Sequence, residues 1–336
     1  MRHLPSAPAL ALSASFLAAG LAGFAGCSSG ATDSDAGGGK SSTAEEGGAS
    51  GEGSPNTGTP GSSSIPAPAG CPTAKYKTLV VVGDSISDVG AGGDGQQPFY
   101  RTLLVTNDDT KYPEWKGFDL AACWGIDPAT DVVKVSKDGA IASLPLNNSP
   151  DKKSILLNQV TALPATLPGP VLVVGTIGGN DVRAGLVTVL TGTPQQQQAG
   201  VDRFVAGFGQ AMAEVTKPDR FGAGVKADVL LTNIYDPSGG TGHFYYQPKG
   251  AKCPGALGFW PDKKATGPLF AQWNDAMTAE AAKYPGVKLL ALDAPFEAHK
   301  VDSPAAENWF YEDCFHPSSL GHNAVRGVFW AGMTKL

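Results

Sequence analysis

Charge is scarce in this 336-residue chain: Asp, Glu, Lys and Arg make up 17%, and 25 basic residues face 31 acidic ones, for a net charge of −6. A basic face able to displace counterions from DNA or RNA is therefore not expected, and nucleic acid is not a partner this composition suggests. Beyond the N-terminus no apolar run approaches the roughly 18 residues of a membrane span, which excludes a multi-spanning protein. Cysteine and histidine are few, five of each. No CxxC pair occurs, and outside the motifs below only His243 lies near a cysteine, so a zinc site is not expected. Abundance lies elsewhere, in 44 Gly and 26 Pro, which mark a loop-rich chain. The 42% hydrophobic content is too high for wholesale disorder.

Residues 1–26 read as an export signal: Arg2 near the start, an Ala/Leu/Phe-rich stretch from Ala9 to Ala22, then small residues before Cys27. Phe24-Ala25-Gly26-Cys27 resembles the bacterial lipobox, in which the cysteine is diacylated and becomes the mature N-terminus. That resemblance implies a cell-envelope lipoprotein held to the membrane through its lipid alone; a plain secreted protein is the alternative. From Cys27 to Gly70 the only large apolar side chain is Ile65, so residues 27–70 cannot bury enough surface to offset ordering and are expected to be a flexible linker. With Cys27 set aside, Cys71, Cys123, Cys253 and Cys314 remain. In an oxidising compartment four thiols pair in three ways. Cys71 with Cys123 and Cys253 with Cys314 is the expected pairing, and four buried free thiols the alternative.

Residues 71–336 suffice for one domain with a substantial core. Five short apolar runs recur, Thr78 to Val82, Asp131 to Val135, Val171 to Ile177, Asp228 to Ile234 and Val287 to Leu292. Near-continuous hydrophobic strands of this kind suit a parallel sheet covered on both faces. Between them lie helical stripes. Val201, Phe204, Val205, Phe208, Met212 and Val215 share one face, as do Leu269 or Phe270 with Trp273, Met277 and Ala281. A last helix is expected to open at Pro317 and turn Leu320, Ala324, Val325, Val328 and Phe329 inward. Alternating strand and helix predicts a three-layer α/β sandwich around a five-stranded parallel sheet, with any ligand at the carboxyl ends of the strands.

Three motifs fall where such a fold presents chemistry. Gly83-Asp84-Ser85 follows the first strand directly and leads into a turn. Gly178-Gly179-Asn180-Asp181 follows the third strand, and Asn180 offers a side-chain amide on a glycine-flanked loop. Asp313-Cys314-Phe315-His316 sets a carboxylate three residues before an imidazole, so that Asp313 can orient His316 while its other ring nitrogen faces Ser85. Each has a plain reading when isolated: a turn, a helix cap, a chance pair. Their joint order favours a serine nucleophile with its acid-base partner.

The three motifs together resemble those of SGNH, or GDSL, hydrolases, lipases and esterases with a flavodoxin-like fold, across residues 75 to 334. Some features, the Asp313 to Pro317 block among them, are similar to phospholipase-B-like members. The resemblance implies Ser85 as nucleophile, His316 and Asp313 as its acid-base pair, and an oxyanion hole from the Ser85 and Gly139 amides and the Asn180 side chain. It implies hydrolysis of carboxylic esters through an acyl-enzyme, with no metal and no organic cofactor. The substrate would be a small-molecule, lipid or acylated-glycan ester, and the protein a monomer. Alternatives are an O-acetyl esterase acting on polysaccharide and a binding or adhesion module that keeps the fold without turnover. Gly83-Asp84-Ser85-Ile86-Ser87 lacks the second glycine of GxSxG, so the α/β-hydrolase elbow is not expected. Among residues outside the motifs, His322 lies off the last helix's apolar stripe and is expected in solvent, as is His299. The aromatics Phe244, Tyr245, Tyr246, Trp260, Trp309, Phe310 and Tyr311 form either a substrate platform or a packed loop.

Overall fold

The computed structural model describes residues 67–88, 98–144, 155–262 and 264–336. The expected export signal, Cys27 and the expected linker up to residue 66 lie outside the described residues. In chain order the elements are β1 (Thr78–Gly83), α1 (Tyr100–Val105), α2 (Leu120–Trp124), β2 (Val132–Lys134), α3 (Leu156–Thr161) and β3 (Val171–Thr176). There follow α4 (Gly179–Thr191), α5 (Pro194–Val215), β4 (Ala227–Thr232), a short hairpin of β5 (Tyr245–Tyr246) and β6 (Ala251–Lys252), α6 (Gly267–Ala281), β7 (Val287–Leu290), α7 (Asp293–Glu297) and α8 (Ser319–Met333).

All five expected strands are present, and they pair in parallel in the order β2-β1-β3-β4-β7. Every residue of β1 and β3 is buried, which requires cover on both faces. The helices supply it: α3, α5 and α6 pack together as one group, and α1 packs on α8 as another. Edge strands β2 and β7 are shorter than their apolar runs and only partly buried. Their outer sides have no neighbouring strand, so pairing stops where cover stops. Each fully buried Val or Leu contributes about 1.5–3 kcal/mol, so the central strands add substantially to the driving force.

Helix α5 buries Val201, Phe204, Phe208, Met212 and Val215 as its spacing requires, and opens with a capping box between Thr193 and Gln196. The last helix departs from expectation. It starts at Ser319, with the Ser318 side chain as cap, because Pro317 is taken up in a β-bridge with Phe310. It also buries more than one stripe: His322 is 1% exposed, a correction to its expected place in solvent. The reason is a second covering element. The His322 ring meets Phe99 edge-on at 5.0 Å and lies parallel to Tyr100 at 6.4 Å. Burial pushes its pKa down to about 3, so it sits in the fold as a neutral ring. Arg326, one turn on, stacks over Trp115 at 3.9 Å and donates to Asn107 at 2.6 Å.

Disulfides join Cys71 to Cys123 and Cys253 to Cys314. The first fastens the entry of the domain to α2; the second fastens the segment between β7 and α8 to the loops between β4 and α6.

Candidate active site

The strand order places a topological switch between β1 and β3, whose chain connections leave in opposite directions and open a crevice at their carboxyl ends. Ser85 stands at that point, two residues past the end of β1. Only glycine fits just before the turn: Gly83 has φ +108°, and a Cβ there would fall 2.0 Å from the Thr176 carbonyl oxygen. Gln159 clamps the same glycine, its Oε1 accepting from Gly83 N at 2.7 Å and its Nε2 donating to Gly83 O at 2.8 Å.

Behind the turn runs a buried hydrogen-bonded chain. Thr176 Oγ1 donates to Asp84 Oδ1 at 2.7 Å, Ser87 Oγ lies 2.9 Å from Thr176 Oγ1, and Tyr100 OH lies 2.7 Å from Ser87 Oγ. Burial pushes the Asp84 carboxyl up to about 7, against the lowering effect of its donors Thr176 and Ile86 and of His316.

Across 231 residues of chain, His316 Nε2 meets Ser85 Oγ at 2.7 Å. Asp313 Oδ2 lies 2.6 Å from His316 Nδ1, while its Oδ1 accepts the amides of Phe315 and His316, each at 2.9 Å. Burial alone would raise the Asp313 carboxyl. The hydrogen bond and charge of His316, joined by the two amides, outweigh it and hold Asp313 below the usual carboxylate range. With a carboxylate on Nδ1, the proton of a neutral ring sits there, leaving Nε2 free to accept from Ser85.

The loop carrying this pair is held from several sides. Cys314 is disulfide-bonded and takes φ +64°, unusual for a residue with a Cβ. Tyr311 N donates to His316 O at 2.8 Å, and Tyr235 OH donates to Phe315 O at 2.6 Å. Tyr235 in turn stacks on Phe296 at 4.6 Å and packs edge-on against Phe310. Of the aromatics singled out from sequence, Phe244, Trp260, Trp309 and Phe310 are buried, so these four pack the loops. His299 is half-buried at the surface, its ring stacked on Trp309 at 3.8 Å.

Asn180 lies in the first turn of α4, after Gly178, and its Nδ2 donates to Ala140 O at 3.0 Å. One hydrogen of that amide is thus used for positioning and one is left. Asp181 is buried and accepts the amides of Ala142 and Ser143, both at 2.9 Å. These contacts fix the strand-end loop that contains Gly139, which has φ +73° and follows Asp138, whose amide donates to Asp88 Oδ2 at 2.9 Å. Neither Ser85 N nor Gly139 N donates a hydrogen bond to another described residue. Sequence reasoning missed Tyr235, Gln159 and Thr176, since nothing local distinguishes them from other core residues. Among the described residues no group of three or more His, Cys, Asp and Glu side chains is placed to hold a metal ion. No helix among them is long and apolar enough to cross a membrane.

A doubly wound α/β sheet with hydroxyl, imidazole and carboxylate aligned at its switch point defines a hydrolase-type architecture. More particularly, the chain belongs to the GDSL-like lipase/acylhydrolase family, whose model matches residues 79–326, and it is a carboxylic ester hydrolase. Among solved structures, an extracellular lipase from Streptomyces rimosus is 18% identical, the match covering 75% of this chain and 99% of that one, with a TM-score of 0.41. Phospholipase A1 from Streptomyces albidoflavus is likewise 18% identical, with coverages of 77% and 99% and a TM-score of 0.43. A catalytic mutant of an acetylxylan esterase from Geobacillus stearothermophilus is 18% identical, covering 77% and 94%, with a TM-score of 0.44. Among curated proteins, none matches this chain.

Proposed function

We propose that the protein hydrolyses carboxylic esters through an acyl-enzyme on Ser85, with His316 as general base and acid and Asp313 as its orienting carboxylate. The observation that carries this reading is the 2.7 Å approach of Ser85 Oγ to His316 Nε2. In the first half-reaction Ser85 Oγ bonds to the ester carbonyl carbon as its proton passes to Nε2. The carbonyl oxygen becomes an oxyanion, held by the Ser85 and Gly139 amides and the remaining Asn180 hydrogen. One such donor is commonly worth about 3 kcal/mol at the transition state. The C–O bond to the alcohol then breaks, and His316 returns the proton to the departing oxygen. Water repeats the sequence on the acyl-enzyme, releasing the acid and restoring Ser85.

A covalent probe tests the assignment and separates turnover from mere binding. A fluorophosphonate is expected to label the protein once, on the peptide containing Ser85, and to stop hydrolysis of p-nitrophenyl acetate in proportion. Labelling at another residue with full loss of activity, or continued turnover after complete labelling of Ser85, would overturn it.

We also read Cys27 as a lipid attachment point, on the strength of the Phe24-Ala25-Gly26-Cys27 sequence behind the apolar stretch. The two disulfides are consistent with an oxidising, exported location. Cys27→Ala is expected to move the protein from the membrane fraction to the soluble one. Unchanged fractionation removes the anchor.

A further inference from the structure

Beside the nucleophile turn lies a cavity of about 30 Å³. Its position is tied to the chain neighbours of the reacting residues. Asp84 and Ile86 flank Ser85, Gly179 precedes Asn180 and Phe315 precedes His316, and all four line the cavity. The walls are mostly apolar, formed by Val182 and Leu186 of α4, Phe270 of α6, and Ile234, Leu257 and Leu292, with Arg183 and Asn233 as polar exceptions. The floor is not. Thr176 ends β3 beside Gly83, and Thr232 ends β4 one rung beyond the Gly175–Leu231 pair, so Asp84, Thr176 and Thr232 stand side by side at three adjacent strand ends. All three line the cavity, and each is 2% exposed or less. Both hydrogen bonds that the Asp84 carboxyl accepts end on Oδ1, leaving Oδ2 without a partner among the described residues.

We propose that this cavity receives the acyl group and restricts the enzyme to esters of short acids, acetyl to butyryl, the alcohol lying toward solvent; the proposal rests on Ser85 being the nucleophile. A water-sized sphere occupies about 10–15 Å³ in a cavity of this kind, so about two or three fit. Acetyl, propionyl and butyryl groups place one, two and three carbons beyond the carbonyl, which fills the space. A longer chain meets the carboxyl and hydroxyl groups of the floor, and hydrocarbon pressed on an unpaired polar oxygen strips its solvation with nothing in return. The apolar walls thus reward the first methylenes and the polar floor ends the reward.

The test is a pair of ester series on the wild-type protein, with Ser85→Ala as control. Across p-nitrophenyl acylates, kcat/KM is expected to rise about fourfold per methylene from acetate to butyrate and then to drop at least about tenfold by octanoate. Across n-alkyl acetates, where only the alcohol grows, it is expected to stay within about threefold, since the alcohol would lie outside the cavity. Phe270→Ala enlarges the cavity and is expected to raise the octanoate-to-acetate ratio at least about tenfold. Leu186→Ala gives the same readout from α4 should the first variant fold poorly, and a ratio within one variant is insensitive to the fraction folded. A wild-type optimum at octanoate or longer, a length limit in the alcohol series instead of the acyl series, or unchanged ratios in both folded variants overturns the acyl-cavity assignment while leaving Ser85 in place. Full activity in Ser85→Ala overturns the nucleophile assignment, and this proposal with it.

Discussion

Ser85→Ala and His316→Ala are each expected to lower kcat for p-nitrophenyl acetate by about 10⁴- to 10⁶-fold, and the double variant to fall no further than either alone. Neither group works without the other. A hydroxyl is a weak nucleophile unless its proton has somewhere to go, and an imidazole beside a methyl group has no proton to take. Loss of Oγ removes one atom from a side chain 2% exposed, so the fold should be kept and near-native circular dichroism is part of the result. Oxyanion donors survive in all three variants, and a residual rate above the uncatalysed reaction is expected from them. Losses that multiply in the double variant would show that the two residues act independently, contrary to the 2.7 Å contact between them.

Asp313→Asn is expected to cost about 10⁴-fold in kcat with little change in thermal stability. The carboxylate accepts on both oxygens: Oδ2 faces His316 Nδ1, and Oδ1 takes the Phe315 and His316 amides. An asparagine can satisfy the two amides with its carbonyl, but its NH₂ then meets Nδ1 and turns that nitrogen into an acceptor. The ring hydrogen moves to Nε2, where it points at Ser85 and blocks proton transfer. Asp313→Ala adds a structural loss, because the two loop amides lose their acceptor, so its melting temperature should fall below that of the Asn variant. An Asn variant within tenfold of wild-type kcat would remove Asp313 from the orienting role.

The sheet was legible because β1 and β3 are buried on both faces, and a strand covered on both faces must be written as an unbroken apolar run. The motif positions were legible for a related reason: strand ends at a switch point are where glycine and polar residues interrupt such runs. Less could be read from α8. Its pattern suggests a single apolar stripe, yet His322, Asn323 and Arg326 are also buried, against α1 and the residue 112–115 segment. A helix gripped from two directions buries polar residues as well where they find partners, and those of His322 and Arg326, Tyr100 and Asn107, lie more than 200 positions away. Tyr235 escaped notice on the same ground. Its hydroxyl acts on Phe315 O, 80 residues on, and nothing in its own neighbourhood announces it.

The proposed nucleophile turn follows the first strand, whereas the proposed proton acceptor immediately precedes the final helix. Order of synthesis therefore imposes silence: a ribosome-bound or C-terminally clipped chain exposes the serine long before any base exists to activate it. Competence arrives all at once with the closing segment, and proteolytic loss of the last two dozen residues, which takes His316 and α8 together, should switch the molecule off and strip one cover from the sheet.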